Sequence, residues 1–176
     1  MARVNSMPDK KQHFIYWGLN ALLFFALYLI QYNGAFSISI SHANPMLPLC
    51  MVICVSMFSG EVSSVLFGLF AGVLTDGVSS TPLCFNTLLM MLLALGVSLS
   101  VRYLVNNNLR SAVILGVCVS LIYYLVRWIF VVFTAQIGSE VKYILGYVFP
   151  SVIYSAVIVI PLYLLEKHIT KKFYSR

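Results

Sequence analysis

Charge is what this 176-residue chain has least of. Aspartate and glutamate together number 5, and all charged residues make up 9% of the sequence. Soluble domains carry about 25%, so there is no polar coat here for a water-facing globule. Hydrophobic residues reach 61% and mean hydropathy is +0.94. The chain reads as an all-α integral membrane protein, one domain over residues 1–176, with no room for a separate soluble unit. Catalytic groups are equally scarce. The 3 histidines, His13, His42 and His168, fall at helix ends or in a loop, and no H-E-x-x-H pattern or nucleophile–base pair occurs. Catalysis within a membrane needs paired ionisable groups or a metal cluster. Asp76, Glu61 and Arg127 do not make one, so the reading is a non-enzyme with no cofactor and no metal. The 4 cysteines, Cys50, Cys54, Cys84 and Cys118, lie in apolar stretches. Cys50 and Cys54 share a helix face without a nearby His or carboxylate to complete a metal site. They read as small buried hydrophobes.

Long apolar runs dominate what is there. They cover residues 14–30, 46–59, 62–75, 83–101, 111–134 and 143–165. The first resembles a signal peptide in position, but it is long, aromatic and followed by further spans, which favours a retained anchor. The second and third are short, and fusing residues 46–75 into one tilted helix of about 45 Å gives a five-span alternative. Basic residues decide between the two. With six spans, Arg3, Lys10, Lys11, Arg102, Arg110, Lys167, Lys171, Lys172 and Arg176 share one side and Lys142 stands on the other. With five, the basic termini face opposite compartments. Six transmembrane helices with both termini cytoplasmic follow, the second and third short or tilted. The net charge of +6 is then a topology signal with affinity for anionic lipid, not a sign of nucleic acid. Pro150 and Pro161 predict an irregular or kinked sixth helix.

Within the apolar runs, Gly60, Ser64, Gly68, Gly72 and Asp76 recur every four residues. Small residues at this spacing flatten a helix face and admit another backbone, the main route to helix association in lipid. The strip serves either a seam inside the protein or the helix of a partner. Asp76 closes it near the outer surface, where it either caps the following "DGVSS" turn or pairs with a cation. The cation is Arg127 in "YYLVRWIF", roughly 24 Å along the fifth run and so at similar depth. Snorkelling to headgroups is the alternative for Arg127.

The stretch "GLFAGVLTDGVSSTPLCFNTLLMMLLALGVSLSVRYL" resembles the signature region of the rod shape-determining MreD family. Gly68, Leu69, Gly72, Asp76, Ser79, Pro82, Leu83 and Asn86 match its pattern in order, and Tyr123 upstream of Arg127 is also similar. Ser80 and Cys84 depart from it, at positions where many members have glycine. The resemblance implies a bacterial inner-membrane subunit of the cell-elongation complex. It implies binding to the bitopic protein MreC, alongside MreB filaments, the RodA polymerase and a penicillin-binding transpeptidase, in organising peptidoglycan synthesis and cell shape. It also implies a fold similar to the substrate-binding subunits of energy-coupling-factor vitamin transporters. A subunit of such a transporter is the competing function. That class carries an Ala-rich docking strip on its first span, whereas "WGLNALLFFALYLI" has bulky residues around Ala21 and Ala26 and no Ala-xxx-Ala. The outer-loop residues Asn33, His42 and Asn44, with Asn86, leave a small ligand open.

Overall fold

A computed structural model of the chain describes residues 10–32, 46–78, 84–135 and 148–174. These form helices α1 (Lys10–Tyr32), α2 (Leu47–Phe58), α3 (Glu61–Asp76), α4 (Phe85–Tyr103), α5 (Leu109–Ala135) and α6 (Phe149–Tyr174), with no strand among the described residues. Ser79, Ser80, Pro82, the outer connection from 33 to 45, and residues 143–147 of the last run lie outside them. So do the termini that carry Arg3 and Arg176.

The helix with no polar face is the one at the centre. "LPLCMVICVSMF" is apolar all round, and a helix of that kind must be enclosed on every side. α2 touches every other helix, and each residue from Leu47 to Met57 is buried. Protein rather than lipid surrounds it, which is how a helix of 12 residues, about 18 Å long, sits in a bundle of longer ones. Side chains seal its ends. The Leu47 N–H donates to Gln31 Oε1 at 3.1 Å, and Asn107 Nδ2 donates to the Met57 carbonyl at 2.9 Å. Its two thiols donate to α6 carbonyls, Cys50 to Ser155 at 3.7 Å and Cys54 to Val159 at 3.8 Å.

Four helices, α1, α4, α5 and α6, contain stretches long and apolar enough to cross a bilayer. α3 has 16 residues. A fused helix over 46–75 does not form. Ser59 and Gly60 are extended, with ψ of 158° and 164°, and the chain turns there from α2 into α3. Glu61, in the first turn of α3, complements the helix dipole and forms an ion pair with Arg102 of α4. α6 runs unbroken through Pro161, so the irregularity expected there does not end the helix.

Hydrogen bonds between elements gather at two ends of the bundle. One end joins Tyr28 to Leu74, Asp76 to Asn86 and Tyr123 to Asn86. The other joins Tyr16 to Glu166, Ser98 to Ser59 and Tyr163 to Asn107. Successive helices therefore alternate in direction, and Arg102, Arg110, Lys167, Lys171 and Lys172 all fall at the second end. Among the described basic residues, Arg127 belongs to the first.

Candidate functional site

The closest-packed pair of helices is α3 and α4, and the small-residue strip is the reason. A Cβ added at Gly68 would stand 2.9 Å from both Ala94 Cβ and the Met90 carbonyl oxygen. One added at Gly72 would collide with the Thr87 Cα and stand 2.9 Å from the Thr87 nitrogen. α4 meets the strip with Asn86, Met90, Ala94 and Ser98, buried at the same four-residue spacing. Ser64 is buried and donates to the Gly60 carbonyl at 2.9 Å, while Gly60 itself is exposed and faces open space. Gly68 and Gly72 thus lie in an internal seam, and the strip continues to Asp76.

Asp76 meets the N-terminus of α4. Its Oδ1 accepts from the Asn86 N–H at 3.1 Å. Its Oδ2 accepts from the Thr87 N–H at 2.8 Å and the Thr87 hydroxyl at 2.5 Å. Helix starts leave such N–H groups without intrahelical partners and attract negative charge. The residue in the capping position, Cys84, supplies no side-chain bond. Its backbone is left-handed, with φ of 72° and ψ of 5°, the one positive φ among described residues other than glycine. Glycine adopts that conformation without strain. A carboxylate from the neighbouring helix therefore takes the place of the missing cap at the start of α4.

From that contact a polar line runs into α5. Asn86 is 1% exposed and Tyr123 fully enclosed. The Tyr123 hydroxyl donates to Asn86 Oδ1 at 2.8 Å, and half-buried Arg127, one turn further along α5, lies within hydrogen-bonding reach of the same hydroxyl. Tyr32 of α1 shares the electrostatic neighbourhood of Asp76 and Arg127. Asp76, Asn86, Tyr123 and Arg127, far apart in sequence, are thus gathered into one node where the end of α3 and the start of α4 meet the second half of α5. Ser79 and Pro82 belong to the connection outside the described residues.

Elsewhere, α1 and α3 face each other through aromatic rings, Trp17 with Phe67 at 6.0 Å and Phe24 with Phe67 at 5.7 Å. Between them lies a recess of about 420 Å³, lined by Trp17 and Ala21 of α1 and by Ser63, Leu66, Phe67 and Phe70 of α3. Glu166 is the residue that sequence reasoning missed. It is fully buried between α6 and α1, and it lies within electrostatic range of Cys54, so a carboxylate does stand near that thiol. No group of three His, Cys, Asp or Glu suited to a metal occurs among the described residues.

A bundle of apolar helices whose polar groups bond helix end to helix end is a multi-pass membrane protein built around its own packing. Its family follows from a direct match. The family model of the rod shape-determining protein MreD covers residues 12–173, and the chain belongs to that family. It is a rod shape-determining protein of the inner membrane, part of the machinery that sets cell shape. No curated protein and no solved structure matches the chain.

Proposed function

We propose that the protein is a non-enzymatic subunit of the cell-elongation complex that binds an MreC-like bitopic protein and helps organise peptidoglycan synthesis. The family match over residues 12–173 carries this reading. RodA-like polymerase, penicillin-binding transpeptidase and MreB are its further partners on the same reading, and likeness to the transporter subunit fold is part of the same proposal. With Gly68 and Gly72 occupied by α4, the seat for a partner's helix moves to the recess between α1 and α3. Its lining includes the small residues Ala21 and Ser63 and leaves Leu66 60% and Phe70 43% exposed. Close approach in lipid requires such small residues. Ser63→Trp fills the recess without touching the α3–α4 seam. This variant is expected to reach wild-type abundance in membranes while co-purification of MreC-like and wall-synthesis proteins from native membranes falls at least tenfold. Recovery of an ATPase-bearing module instead would favour the transporter reading.

Six crossings with both termini cytoplasmic belong to the same proposal, supported by the gathering of basic residues at one end of the bundle. Reporter fusions at Arg176 and in the Asn106 to Asn108 connection should both read cytoplasmic. A periplasmic reading at Arg176 would sink the six-crossing topology.

A further inference from the structure

Glu166 lies at the end of the bundle opposite the node and is 0% exposed. Its Oε1 accepts from the Tyr16 hydroxyl at 2.6 Å and from Asn20 Nδ2 at 3.2 Å. Its Oε2, and the Oδ1 of fully buried Asn20, have no hydrogen-bond partner among the described residues. An ionised carboxylate can only accept, and an amide oxygen can only accept. The two unsatisfied atoms are therefore the second atoms of two groups already joined by one bond. A single proton on Oε2 makes that oxygen a donor, the form in which a carboxylic acid and an amide satisfy each other through two bonds.

The surroundings offer an ionised carboxylate little. Tyr16 of α1 faces it, with the Ser59 and Thr170 hydroxyls approaching the same phenol. Cys54 of α2 is in electrostatic range and donates to the Val159 carbonyl. On α6 itself, Lys167 and His168 are exposed, and the Lys167 ammonium lies 5.9 Å from the Tyr163 ring centroid. Glu61 and Arg102 engage each other. Among the basic residues whose side chains the structure describes, none forms an ion pair with Glu166, and a buried carboxylate without one is costly.

We infer that Glu166 is a proton-binding site, a neutral carboxylic acid whose proton bridges to Asn20 and fastens α1 to α6. α1 packs chiefly against α2 and more sparsely against α6, so this polar contact is a principal tie between the first and last helices. The sign of the pH dependence follows. In the unfolded chain a glutamate ionises above about pH 4.3, whereas the folded site keeps its proton. Folding then takes up a proton, and stability declines as pH rises above that range.

The test is thermal unfolding of the full chain in detergent across pH, with and without added sodium, for wild type and Glu166→Gln. Glutamine supplies an N–H in place of the acid O–H and is neutral at every pH. The variant should match wild type at acid pH and melt at a constant temperature as pH rises, while wild type loses several degrees. Infrared difference spectra at neutral pH should show a protonated carboxyl C=O band in wild type that Glu166→Gln lacks. A Glu166→Gln protein that fails to fold or is less stable at all pH overturns the site, because the neutral isostere should suffice. So does a wild type stabilised by sodium or by rising pH, or one without the carboxyl band.

Discussion

Gly72→Ala is expected to lower the amount of folded protein in the membrane sharply, although it adds one methyl group. The added Cβ would meet the backbone of α4 at Thr87 rather than a side chain able to swing aside. Relief requires α3 and α4 to separate along their closest seam, or to rotate. Overpacking of a tight core typically costs about 1–3 kcal/mol, and here the shift also pulls Asp76 from the start of α4. Gly68→Ala meets the Ala94 side chain and the Met90 carbonyl and should do the same more mildly. Gly96→Ala is the control, because nothing lies within 4 Å of its added Cβ and alanine favours a helix over glycine by about 1 kcal/mol. Abundance and melting temperature in detergent measure all three. Wild-type stability for Gly72→Ala would remove the seam, and an equal loss in Gly96→Ala would show that helical glycine as such is at issue.

The second large effect is expected at Asp76. Asp76→Ala removes the acceptor for two backbone N–H groups and the Thr87 hydroxyl at once. Loss of an N-cap costs roughly 0.5–2 kcal/mol, and each buried donor left without a partner roughly 1–3 kcal/mol. Partial access of water at this end keeps the total toward the lower part of that range. Asp76→Asn retains one oxygen and should fall between. The line from Asp76 through Asn86 and Tyr123 to Arg127 adds a coupling. Asp76→Ala combined with Arg127→Ala should lose less stability than the two single losses added together, because each single variant already disrupts the shared node. Independent sites add within about 0.3–0.5 kcal/mol. Additivity within that margin would break the connection between the two residues and leave Arg127 to the headgroups.

Much of this bundle can be read directly in the residues. The even apolarity of "LPLCMVICVSMF" marks α2 as a helix without a solvent or headgroup face, and Gly68, Gly72 and Asp76 announce a seam with a polar end. What the strip packs against is not local information. Gly72 looks the same whether its neighbour is Thr87 or another protein, and the choice is made by α4 folding back. For Asp76 the chain offers the adjacent turn or a distant cation as partner, whereas the N–H groups it accepts from belong to the start of the helix beyond that turn. Cys84, standing where many members of the family have glycine, was the available hint. Glu166 escaped for a different reason. It stands beside Lys167, His168 and Lys171 in a stretch that reads as interfacial, and its burial is imposed by Tyr16 and Asn20 from the far end of the sequence.

The enclosure of α2 also sets a problem of timing. The ribosome delivers this helix second, yet part of its covering comes from α5 and α6, and α6 begins only at Phe149. At about 5–20 residues per second, the hub of the bundle waits on the order of seconds for its last walls. During that interval its all-round apolar surface lies against lipid that it does not span comfortably, or against the insertion machinery. A chain interrupted before α6 leaves α2 uncovered along the face that Ser155 and Val159 would close, and membrane quality control has an obvious place to grip. Assembly of this protein is thus finished from the inside outward, its oldest buried helix being the last to reach its final surroundings.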